Sequence, residues 1–165
     1  MKKIIFIAVC SLIIATSVQA QEVAVKSPSL DLKVEYKRCI TTNNVAFIDV
    51  LITNTSGQDT KIRYNGISIY DDEGNVYNND NLPYGQHIIK LTTGNTNREP
   101  LNSIIVLPAG ISYKARIAIT GGFDKYATMI KLLKINFSWD VFSTKVYGQW
   151  IGGEFELRNL PIVRE

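Results

Sequence analysis

The stretch that most constrains the fold is Val45–Thr53, VAFIDVLIT. Ala46, Ile48, Val50 and Ile52 make one wholly apolar face, while Val45, Phe47, Asp49, Leu51 and Thr53 make the other. A repeat of two is that of a strand, because successive side chains leave the pleated backbone on opposite sides. A strand apolar on most of both faces sits centrally in its sheet and needs a cover on its outer side. The cover expected is a segment of the same chain, with a partner protein as the alternative.

The flanking sequence keeps the same period. Leu30, Leu32, Val34 and Tyr36 alternate with Asp31, Lys33, Glu35 and Lys37, the pattern of a half-buried strand in an antiparallel sheet. Between these two strands, Thr41-Thr42-Asn43-Asn44 is turn chemistry, since Asn tolerates the left-handed region and bonds its own backbone. Beyond the polar loop of residues 54–60, Ile62 and Tyr64 share one parity and Ile67 and Ile69 the other. A bulge or a sheet-to-sheet crossing at Asn65-Gly66 accounts for the change, and the crossing is expected. Asp71-Asp72-Glu73-Gly74 turns the chain into Val76-Tyr77. Residues 78–103 are rich in Asn, Thr and Gly and read as a long irregular segment, a type that is often functional. Ile104–Leu107, the turn Pro108-Ala109-Gly110, and the alternation of residues 111–120 follow. Strands are then expected over residues 129–139 and 141–151, with a last one from Phe155 that ends before Pro161. The class is all-β, an antiparallel sandwich of about seven to nine strands with at most one short helical turn near 123–128.

The ends set compartment and size. Residues 1–20, MKKIIFIAVCSLIIATSVQA, carry two lysines, a short apolar run and small or polar residues before Ala20, the plan of a cleavable signal peptide. The apolar run is shorter than the roughly 20 residues that span a bilayer as a helix, so no transmembrane segment is expected in the mature chain. Residues 21–29 form a lead-in, a tether or edge strand, and 30–165 a single domain. The expected location is periplasmic or extracellular. Removing Lys2 and Lys3 lowers the formal charge from +3 to +1. Lys and Arg are scattered among acids along the chain, so nucleic acid is not an expected partner. Of the two cysteines, only Cys39 lies beyond the leader. It reads as a small buried hydrophobe, with an intermolecular disulfide as the alternative.

The order of signals is similar to that of small immunoglobulin-like domains of secreted bacterial proteins. The resembling pieces are VLITNTS (50–56), IYDDEGN (69–75), LPAG (107–110) and FELRNLPI (155–162). The resemblance implies an immunoglobulin-like sandwich outside the cytoplasm. It implies no site residues, because fold alone does not carry function.

Little in the residues favours catalysis. His87, the single histidine, would have to serve any Ser- or Cys-based mechanism, and no nucleophile motif adjoins it. One His and one Cys fall short of a zinc site. Asp71, Asp72 and Glu73 could be read as paired carboxylates or, with Asn75, Asn78, Asn79 and Asp80, as calcium ligands. They read better as solvated turn acids. No enzyme, metal or cofactor is expected. The remaining constellation is aromatic: Trp139, Phe142, Tyr147 and Trp150 lie within twelve residues. They suit a core, a protein interface or a platform for sugar rings. The expected function is a binding or structural module whose partner is an envelope or secreted protein. The alternatives are a carbohydrate-binding module and an inhibitor of a secreted enzyme, with residues 78–103 as the inhibitory loop.

Overall fold

A computed structural model describes residues 22–27, 31–79, 89–93, 104–140 and 150–165. Ten strands run through them: β1 (Ala24–Lys26), β2 (Leu32–Thr42), β3 (Val45–Asn54), β4 (Thr60–Asp71), β5 (Val76–Asn78), β6 (Ile89–Thr93), β7 (Ile104–Leu107), β8 (Ser112–Ile119), β9 (Met129–Asp140) and β10 (Trp150–Arg164). One layer has the order β2-β3-β8-β6 and the other β5-β4-β9-β10, with β7 also on β4 and β1 on β10. In immunoglobulin lettering these are A-B-E-D against C′-C-F-G, so the chain is an immunoglobulin-like β-sandwich.

The β2–β3 hairpin closes on Asn43 (φ 49°) and Asn44 (φ 61°), two left-handed residues in succession, as the tightest twisted hairpin turn requires. Gly74 (φ 87°) does the same work in the β4–β5 turn, where a Cβ would be strained. The strand expected from alternation at 30–39 continues to Thr42, but a bulge between Tyr36 and Arg38 resets its parity. Cys39 and Thr41 thereby point inward and are buried, and Arg38 points out.

Two expectations about the chain path are corrected. The parity change at Asn65-Gly66 is a bulge within a continuous β4, opposite Phe137 and Asn136, and not a crossing between sheets. The crossing occurs in β10. Trp150–Pro161 pairs antiparallel with β9, and Ile162–Arg164 then pairs parallel with β2. Its pivot is Asn159, left-handed at φ 58°. That single residue shifts the parity so that Phe155, Leu157 and Leu160 are all buried. The last strand therefore begins at Trp150 and does not stop before Pro161. Residues 123–128, expected as a helical turn at most, form bends without one. Within 78–103, Ile89–Thr93 is the edge strand β6, its Ile89 and Leu91 buried.

The core lies between the inner faces. Ala46, Ile48, Val50 and Ile52 from β3 and Ile117 and Ile119 from β8 meet Ile62, Tyr64, Ile69, Leu133, Ile135, Phe155 and Leu157. Phe137 stacks on Phe155 with centroids 4.3 Å apart and leans on Trp139 at 5.3 Å. No helix among the described residues is long and apolar enough to cross a membrane.

Candidate interaction surface

Of the aromatic constellation, Trp139 lies on the inner face of β9, 8% exposed against Phe137, so its rings belong to the core wall. Trp150 opens β10 opposite Asp140 in register. Phe142 and Tyr147 lie outside the described residues, as does His87.

The acidic turn is a structural device. Asp71 is 4% exposed, and its carboxylate accepts from the amides of Glu73 (3.0 Å) and Asn75 (2.8 Å), the Asn75 side chain (2.9 Å) and the Tyr77 hydroxyl (2.9 Å). Asn75 also donates to Asp124 at 3.0 Å, and the Asp124 amide donates to the Tyr77 hydroxyl at 3.1 Å. Partial desolvation opposes ionisation of Asp72. Donors from the Thr128 hydroxyl and the Met129 and Thr128 amides nevertheless hold its carboxyl below the usual range. These acids tie the β4–β5 turn to the segment before β9, and each has its donors within the chain.

Asn54 plays the same part at the opposite end of β3. Fully buried, it donates to the carbonyls of Gln58 (2.6 Å) and Leu107 (2.8 Å) and accepts from the amide and hydroxyl of Ser56. A shallow cavity of about 180 Å³ lies among Thr41, Asn44, Phe123 and Arg164. Arg164 is already engaged there, donating to the Ala127 carbonyl.

The outer face of the β2-β3-β8-β6 sheet is organised differently. Cross-strand register places Arg38, Asp49, Arg116 and Thr92 on one rung, Glu35, Leu51 and Lys114 on the next, and Ile40, Phe47, Ala118 and Lys90 on the rung beyond. The Asp49 side chain is 3% exposed. It accepts from Arg116 Nε (2.7 Å) and Nη2 (2.9 Å) and from Arg38 Nε (2.8 Å), with Lys114 Nζ at 3.7 Å. The Arg116 hydrogen bonds outweigh burial and, with Arg38, bring the Asp49 carboxyl down to about 2. The same bonds raise Arg116 above its ordinary value. Arg116 also lies over the Phe47 ring, 5.5 Å from its centroid. Among the described residues the cover over Phe47, on the second apolar face of β3, is thus the Arg116 guanidinium. Nearby, hydrogen bonds from Lys37 and Lys33 bring Glu35 to about 2.

Sequence reading passed over Asp49. The available signal was one carboxylate in mid-strand, with Arg38 and Arg116 in the two strands that prove to flank it.

Fold and strand order define an immunoglobulin-like β-sandwich. No family model matches the sequence, and no curated protein does. Among solved structures, an ASH/PapD-like domain of human CEP192 is similar at 11% identity and a TM-score of 0.46, over 85% of this chain and 90% of that one. The GAE domain of GGA2p from Saccharomyces cerevisiae is similar at 18% identity and a TM-score of 0.41, over 87% of this chain and 100% of that one. Such identities carry no functional meaning.

Proposed function

We propose that this chain is an exported, non-catalytic β-sandwich that works as a protein-binding module in the periplasm or outside the cell. Export is supported by the basic start, short apolar run and small residues of 1–20. The observation that carries the binding reading is the outer face of the β2-β3-β8-β6 sheet. Two arginines there are hydrogen-bonded to one buried carboxylate with Lys114 3.7 Å from it, and half-buried Phe47 and Leu51 lie beside them. A surface ordered to this degree suits recognition more than mere solvation, because its side chains have already lost rotamer freedom before any partner arrives. The non-catalytic reading is supported by Asp71 and Asp72 of the acidic turn, whose carboxylates are engaged by donors from their own chain.

The test is cross-linking in intact cells, followed by isolation of the chain. One reproducible protein partner in the envelope or secreted fraction is expected. A chain that stays in the cytoplasm, or that yields no partner above a scrambled-surface control, would overturn the reading.

A further inference from the structure

We infer that the outer face of the β2-β3-β8-β6 sheet receives a cluster of carboxylates on a partner protein. Arg38, Lys114 and Arg116 make the contacts, and Asp49 acts beneath them as a positioning residue. The inference rests on the protein-binding reading above and names the chemistry of the partner. Its first support is vertical order. The Asp49 side chain is 3% exposed, whereas those of Arg38, Lys114 and Arg116 are 50%, 58% and 39% exposed. The anion lies below and the cations above, so an approaching surface meets three positive charges held by one negative charge that it cannot reach.

The other sheet is mixed. Lys134 pairs with Glu154 at 3.1 Å and both are 33% exposed, so both signs stand side by side there. Glu156, 13% exposed, lies beneath Arg158 at 2.9 Å, Lys26 at 3.7 Å and Lys134 at 3.9 Å, a looser form of the Asp49 arrangement that leaves more of the carboxylate in reach. Scattered in sequence, the cations of β2 and β8 converge only because those strands flank β3.

A protein carboxylate fits better than a nucleic acid or a membrane. Guanidinium donors match carboxylate and phosphate oxygens alike in a fixed planar geometry, so the choice between them rests on the rest of this face. Half-buried Leu51 offers apolar contact between the charges. Phe47 is already covered by Arg116, so this face presents no free aromatic platform for a base. Glu35, 37% exposed on the same face, would repel a uniform polyanion but can be skirted by a partner with spaced acids.

The test is fluorescence anisotropy on the full chain, purified as the cell leaves it. The probes are a labelled glutamate-rich peptide, its glutamine counterpart, a heparin fragment and phosphatidylglycerol vesicles, each at low and physiological salt. The glutamate peptide is expected to bind with strong salt dependence, and the glutamine peptide not to bind. A Lys33→Glu/Lys114→Glu variant spares both arginines and is checked by thermal melting. It should weaken glutamate-peptide binding by about tenfold, the effect of reversing two exposed charges. Lys131→Glu, on the opposite sheet, should leave binding unchanged. Absence of glutamate-peptide binding at low salt, or equal binding by the reversed variant, would overturn the inference. So would heparin or vesicles binding as tightly through the same lysines. If the cross-linked partner in cells is captured equally by the reversed variant, this face fails while the binding module stands. If the wild-type chain captures no partner, the module itself fails.

Discussion

Replacing Asp49 with Asn keeps the shape of the side chain and removes its charge. The folded carboxyl titrates at about 2 against an ordinary 3.8, a difference that corresponds to about 2 kcal/mol of stability at neutral pH. Because the folded value is the lower one, this contribution is complete above pH 3.8 and is lost as pH falls through about 2. This loss stays well short of the roughly 3–5 kcal/mol for breaking a fully buried ion pair, since the three cations left behind can turn to water. Urea unfolding at pH 7 should therefore show a lower midpoint for Asp49→Asn at an unchanged slope, and the melting temperature should fall by about 6 °C. Repeated at lower pH, the gap between wild type and variant should narrow below pH 3.8 and nearly close by about 2. Comparison at each pH cancels the titration of the other acids. An unchanged midpoint at pH 7 would refute the charge clamp. A gap as wide at pH 2 as at pH 7 would show that Asp49 acts through packing and not through charge.

The remaining predictions concern other buried polar groups. Tyr64 is 1% exposed, and its hydroxyl has no hydrogen-bond partner among the described residues. Tyr64→Phe should stabilise the fold by about 1 kcal/mol, read as a raised urea midpoint. Asp71→Ala removes the acceptor of four hydrogen bonds; it should cost about 2–3 kcal/mol and speed amide exchange at Glu73 and Asn75. Burial raises the Cys39 thiol to about 12. It should resist a thiol reagent in the native protein at pH 8 and react in guanidinium, and a reducible dimer on a gel would contradict its place in the core.

The sequence by itself determined the class. Period-two alternation in β2, β3 and β8, with turn residues between them, leaves little but strands, because side chains on a pleated backbone sort by parity. The left-handed pair Asn43-Asn44 was legible for the same local reason. What parity cannot give is the resolution of its own interruptions. A bulge and a crossing leave the same trace, so Asn65-Gly66 drew the expectation of a sheet switch while the switch occurs at Asn159, inside a segment that reads as an ordinary strand. Tertiary structure alone decided which strands flank β3. Arg38 and Arg116 stand 78 positions apart in the chain and meet on one carboxylate because β2 and β8 pair with β3 from either side. The unexplained second face of Val45–Thr53 was visible in the sequence. That the Arg116 guanidinium covers Phe47 there, held down by the one acid in the strand, is a consequence of strand order, which no local pattern encodes.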